Sequence, residues 1–251
     1  MFKKFLILSA FLCFVIYGVA QTTEEREVGE FNQVRLWGSM TAELIQGDKN
    51  SVYIESEELP LEDINIENDD RELKIKVKPD ILSKHEGDEL FIKITHKEEI
   101  ESLHALADAD VSFDKPILRK DFKLNVGSGA HVVVKINSKK LNVKAYQGGQ
   151  AQITGKVVNL EAYINSGGIL SATSLVCQNA DVKLNTGGKG EITVKKELVA
   201  KVTTGADFSY MGNPVKENTK TSLGGTISAW DQEEEKKEDK KEEESEKEKK
   251  E

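Results

Sequence analysis

From Leu124 onward, apolar and polar residues alternate along short runs, and a glycine-centred break interrupts them at nearly constant distance. The breaks fall at Gly129, Gly148, Gly167, Gly187, Gly205 and Gly224, in steps of 19, 19, 20, 18 and 19 residues. Five places before them stand Leu124, Val143, Ala162, Val182, Ala200 and Thr219; three before stand Val126, Ala145, Ile164, Leu184, Val202 and Thr221. Three places after come Val132, Ala151, Leu170, Gly190, Phe208 and Ile227, and five after come Val134, Ile153, Ala172, Ile192, Tyr210 and Ala229. The residues between are mainly polar, as at Lys144, Asn165, Lys183, Thr193 and Ser209. Period-two alternation predicts strands with one buried face.

Self-similarity at such a period marks a solenoid, in which each repeat stacks only on its neighbours. Strand, glycine turn, strand and a looser corner describe one coil of a parallel β-helix, so the expected class is all-β with coils of about 19–20 residues. Glycine meets the demand for positive φ at the turn, and a small polar residue (Ser128, Gln147, Ser166, Thr186, Thr204) precedes it. A one-residue slip would turn every buried side chain outward, so register is strongly specified. An antiparallel sandwich also has short strands and regular turns, but it does not require aligned columns.

One further coil is expected upstream, with Asp110 at the turn, Leu103, Ala105 and Ala107 before it and Phe113 after. Residues 98–230 thus read as regular coils, and 22–97 as a less regular β region that continues or caps them. Within it, Ile64, Ile66, Leu73, Ile75 and Val77 suggest a strand pair about Asn68-Asp69-Asp70. An end must be covered because open strand edges aggregate. Trp230 is expected to cover the far one.

Residues 1–20 read as a secretory signal peptide: Lys3 and Lys4, an apolar stretch from Phe5 to Tyr17, then Gly18-Val19-Ala20 before a first mature residue Gln21. The stretch is too short for a comfortable membrane span, and Leu12 before Cys13 argues against lipidation. Removal of the peptide leaves Cys177 alone, which excludes an internal disulfide and reads as a small buried residue. Residues 231–251 hold twelve acidic and seven basic side chains and no apolar one, so a solvated, disordered tail is expected. The chain carries a formal net charge of -9, which argues against nucleic acid as a partner.

The stretch Arg26-Glu-Val-Gly-Glu-Phe31-Asn-Gln-Val34-Arg-Leu36-Trp-Gly38, then Ala42-Glu-Leu44-Ile-Gln46-Gly47, followed by the coils, resembles the auto-transporter adhesin head GIN domain family of secreted bacterial proteins. The resemblance runs from about Arg26 to Trp230. It implies a right-handed, single-chain β-helix exported by a Gram-negative cell, and it brings no catalytic or binding residues. No membrane barrel or C-terminal sorting domain accompanies it here.

Chemistry is sparse. Asp108 and Asp110 share a parity and are the best candidates for a cation site, although a solvated turn that replaces the glycine in this coil is the preferred reading. Gly187-Gly188-Lys189-Gly190 fails as a calcium nonapeptide, because Ile192 stands where aspartate is needed. His85, His96, His104 and His131 lack metal-ligand spacing. No cofactor motif is present. Tyr146 and Tyr163 are expected at one outward position of consecutive coils, an exposed pair for a sugar or a protein. The sequence therefore predicts a non-enzymatic, exported binding scaffold for a glycan or an envelope or surface protein, periplasmic, outer-membrane-associated or extracellular. A carbohydrate-active β-helix enzyme and a structural protein associating through its coil ends are the alternatives.

Overall fold

The computed structural model describes residues 22–56, 59–77 and 90–230. The expected leader and the charged tail lie outside them. Among the described residues, no helix is long and apolar enough to cross a membrane. The fold is a β-solenoid of about seven turns with parallel stacked coils.

The regular part is built from β10 (Ile117–Gly127), β11 (His131–Tyr146), β12 (Gln150–Ile164), β13 (Ile169–Leu184), β14 (Lys189–Thr203), β15 (Asp207–Met211), β16 (Lys216–Ser222) and β17 (Thr226–Trp230). Each winding pairs parallel with the next, so the predicted column Val126, Ala145, Ile164, Leu184, Val202, Thr221 is a true ladder. The uneven steps of 20 and 18 residues are absorbed in the corner, where register shifts lie between Gln152 and Gly155, between Ala172 and Val176 and between Cys177 and Asn179. The strands flanking the glycine turns keep their alignment because one-residue slips there would invert the core.

At the turns, the sequence reading assigns positive φ to glycine alone. The structure places the preceding residue there as well: Gln147 has φ 50° and Gly148 φ 76°, and the Gly149 N–H donates to the Tyr146 carbonyl at 3.0 Å. Two left-handed residues closed by this bond are a type I′ turn. Ser128, Ser166, Thr186, Thr204 and Leu223 repeat the conformation, each at a cost of about 1–3 kcal/mol. Turn-to-turn bonds offset it, as where Gly148 N–H donates to the Ser166 carbonyl at 3.2 Å. The residue after the turn is confined too, since a Cβ on Gly168 would collide with the Ala145 carbonyl oxygen.

The N-terminal region does not stack in chain order. β2 (Gln33–Trp37) and β3 (Met40–Gln46) lie between β6 (Glu72–Val77) with β7 (Leu90–His96) on one side and β8 (Ser102–Leu106) with β9 (Ala109–Phe113) on the other. Beyond β6 and β7 the strands reverse. β5 (Ile64–Asp69) runs antiparallel to β6, β4 (Ser51–Ser56) antiparallel to β7, and β1 (Thr22–Glu27) antiparallel to β4. The β5–β6 hairpin turns at Asp70 and Arg71, both at positive φ, slightly later than expected.

The upstream coil also differs from expectation. Ala105 pairs with Val126 and Asp110 with His131, so Asp108, not Asp110, takes the turn position. Ala107 and Asp108 adopt φ 55° and 64°, and Ala109 and Val111 are buried in place of Ala107 and Phe113, both of which are only half-buried. Aspartate tolerates the left-handed region, which is how this turn dispenses with glycine.

The inward columns form one continuous hydrophobic core from Phe31 to Tyr210. Cys177 is fully buried, which pushes its thiol up to about 12. In the last winding the inward residues become Thr219 and Thr221, both exposed. Trp230, expected as a cover, is a strand residue paired with Met211 and 42% exposed.

Candidate functional site

The solenoid turns two sheets outward, one made of the strands before the turns and one of the strands after them. On the pre-turn face, the central outward position is occupied in unbroken register by Lys74, Arg35, His104, Asn125, Lys144, Tyr163, Lys183, Lys201 and Lys220. Six of these nine are lysine or arginine, in a chain whose net charge is -9. The column beside it, nearer the turns, passes through Trp37, Leu106, Gly127 and Tyr146, and reaches Asn165 and Asn185.

The post-turn face has another character. Its central column reads Glu25, Tyr53, Lys93, Glu43, Ser112, Val133, Gln152, Ser171, Glu191, Ser209 and Ser228. No two like charges adjoin in it.

Tyr146 and Tyr163 both point outward from the pre-turn sheet but do not share a position. Tyr163 stands opposite Lys144, and Tyr146 opposite Gly127. The expected stacked pair is thus a diagonal one: Tyr146 lies two residues before its glycine and Tyr163 four before its own. The Tyr146 ring covers the bare Cα of Gly127, where an added Cβ would meet ring carbon Cε2 at 2.5 Å. Tyr163 is 39% exposed, and its hydroxyl oxygen accepts from Asn165 Nδ2 at 3.1 Å and from Asn185 Nδ2 at 3.2 Å. The Asn185 and Asn165 amides, stabilising the phenolate, hold its pKa below the usual tyrosine value.

The charges of the column are unequally compensated. Arg35 pairs with Glu72 at 2.8 Å, Lys74 with Asp69 at 3.5 Å and Lys183 with Asp181 at 3.7 Å. Lys144, Lys201 and Lys220 are exposed and make no ion pair among the described residues. His104 Nε2 accepts a 2.9 Å hydrogen bond from Asn125 Nδ2, and burial, then neighbouring Arg35, depress its pKa. It is therefore neutral at pH 7.

The lysine column escaped the sequence reading, although a signal for it existed. Counting four places back from each glycine gives Asn125, Lys144, Tyr163, Lys183, Lys201 and Lys220 directly.

At the far edge of the same strands lies an open groove of about 1100 Å³. Lys120, Lys135, Lys139, Lys156 and Lys195 line it, together with Arg119 and, among the described residues, no carboxylate. Arg119 is neutralised by Glu99 at 3.3 Å and Glu101 at 2.9 Å. A smaller cavity of about 280 Å³ adjoins the groove through Leu118 and Arg119 and contains His96 and Asp114. His96 Nδ1 lies 2.8 Å from the Glu98 carbonyl, an acceptor that fixes the proton on Nδ1, and burial depresses the ring's pKa. Asp114 accepts the Gln46 N–H at 3.3 Å, so both carboxylates of this cavity, Glu99 and Asp114, are engaged.

Asp108 lies over the turn glycine Gly129, and Asp110 holds His131 Nδ1 at 3.1 Å. Among the described residues, no three His, Cys, Asp or Glu side chains gather in a way that could hold a metal ion.

Residues 30–214 match the family described as "Putative auto-transporter adhesin, head GIN domain". No curated protein matches the chain in sequence. Several solved structures share its fold. A putative adhesin from Bacteroides fragilis NCTC 9343 superposes with a TM-score of 0.69 at 17% identity, covering 84% of this chain and 97% of that one. A putative adhesin from Parabacteroides merdae ATCC 43184 gives 0.64 at 18% identity, over 84% and 96% of the two chains. A putative lipid binding protein from Parabacteroides distasonis ATCC 8503 gives 0.65 at 16% identity, over 84% and 96%.

Proposed function

The chain belongs to the auto-transporter adhesin head GIN domain family, and from that premise we propose that it is an exported, non-enzymatic scaffold that holds a glycan or a surface protein against its pre-turn face. The observation that carries this reading is the unbroken outward column from Lys74 to Lys220, with Tyr163 inside it and Tyr146 beside it. Binding would be passive. The core fixes the backbone of every winding, so the outward side chains form a preorganised surface that loses little freedom on contact. The exposed Tyr163 ring and the half-buried Tyr146 ring offer flat apolar area to sugars and proteins alike, with hydroxyl and amide groups alongside for hydrogen bonds.

A glycan array and an envelope-protein pull-down with the mature chain test the proposal. Ligands captured by the parent should be lost or weakened in a Tyr146→Ala/Tyr163→Ala variant. Equal capture by both would remove this face from consideration.

A further inference from the structure

A binding role for the pre-turn face leaves the ligand's chemistry open, and any ligand class assigned from the charges of that face rests on the role itself. Lys183, Lys201 and Lys220 stand opposite one another on three consecutive windings. Strands lie about 4.8 Å apart, and like charges opposite each other weaken a sheet. Packing therefore gives no reason for this run, since any short polar residue would satisfy an outward position. Of these three, Lys201 and Lys220 have no ion-pair partner among the described residues, and neither has Lys144 two windings back. The lysine-lined groove carries the same sign of charge to the edge of the same strands. In a chain of net charge -9, such a local excess focuses a positive potential on one side.

We propose that the pre-turn face binds a linear acidic polysaccharide laid along the stacking axis. Its carboxylate or sulfate groups meet Lys144, Lys183, Lys201 and Lys220, and its sugar rings lie against Tyr146 and Tyr163. Asn165 and Asn185 each give one amide hydrogen to the Tyr163 hydroxyl, which leaves their carbonyl oxygens for ring hydroxyls. Overall charge argues against nucleic acid as this partner: the chain carries a net -9, and its excess lysines are confined to one column and the groove beside it, where nucleic acid is ordinarily met by a broad basic surface. A uronate polymer bears one charge per ring, which matches a single file of lysines.

The test measures binding of the mature full-length chain to polygalacturonate, neutral dextran and oligo(dT) over a range of sodium chloride concentrations. Polygalacturonate should bind, weakening steadily with salt, while dextran and oligo(dT) bind at least about tenfold less tightly. A Lys183→Gln/Lys201→Gln/Lys220→Gln variant, checked for a melting temperature no lower than the parent's, should lose about tenfold at low salt and lower the salt slope by about one per lysine. Lys189→Gln on the post-turn face should leave affinity within about twofold. Undiminished binding by the triple variant overturns the assignment, as does tighter binding of oligo(dT). Dextran bound as well as polygalacturonate, and lost in the double tyrosine variant, overturns the acidic class while sparing the face. Binding of none of the three polymers overturns the acidic class as well; a ligand captured from the glycan array or the envelope would then show whether the face itself survives.

Discussion

The two outward faces share one core, one period and one set of turns, yet they treat charge in opposite ways. Along the post-turn column, Lys93 stands between Tyr53 and Glu43, and no two acids adjoin. Along the pre-turn column, three lysines follow one another. The first arrangement is what a sheet selects when only stability matters, because opposite or neutral neighbours are favoured across strands. The second sacrifices stability, which is why it, rather than the larger number of polar residues elsewhere, points to a partner. The lesson is that in a solenoid the inward columns report the fold, and departures from charge alternation on the outside report use.

That contrast can be broken first through what the faces hold in common. Ile164 is fully buried beneath the pre-turn face, so Ile164→Asp should destabilise the protein by more than about 4 kcal/mol and abolish both faces at once. A denaturant titration with a near-parent midpoint would separate the faces from the core. Gly168→Ala forces a Cβ against the Ala145 carbonyl oxygen and should cost about 1–3 kcal/mol, read as a lower melting temperature.

The sharper test is electrostatic. Lys201→Glu, between Lys183 and Lys220, should raise stability by about 0.2–1 kcal/mol at low salt, and the gain should shrink at high salt. Ser209→Glu, beside Glu191 on the other face, should lower it by a similar amount. Melting curves in both salts that move the two variants in the same direction would erase the distinction between faces.

The smallest effect concerns protons. His104 in the lysine column, and His96 beyond it, have folded pKa values below the unfolded one. The unfolded chain then binds protons more readily, so this stability is complete above about pH 6.5 and is lost as pH falls through the depressed values. Denaturant midpoints should decline on acidification, and His104→Asn should flatten part of that decline. A slope unaltered in the variant would show that His104 titrates normally.

Much of the architecture is legible in the sequence, and the reasons are local. Period two fixes which side of Val126, Ala145 and Ile164 is inward, and the glycine spacing aligns one winding with the next. Where glycine is missing, the same logic slips by two residues, as at Asp108, because aspartate and alanine can take the left-handed region without announcing it. The order of the N-terminal windings has no local signal at all: which edges meet is decided by contacts between segments far apart in the chain. The candidate face is half legible. The two tyrosines stand out, but their true neighbours depend on register counted to the residue, and Lys183, Lys201 and Lys220 lie 18 and 19 residues apart, too far to look like a cluster.

The displaced placement of β2 and β3 has a consequence for how the molecule comes into being. These strands emerge before their partners from any machine that delivers the chain from its amino end, since both flanks they need are made of later residues, Glu72–Val77 and Leu90–His96 on one side, Ser102–Leu106 and Ala109–Phe113 on the other. They must wait with both edges bare. Assembly from that end cannot proceed as simple winding; β2 and β3 enter a slot that only later strands can form, and the slow step should sit there rather than in the coils that come after.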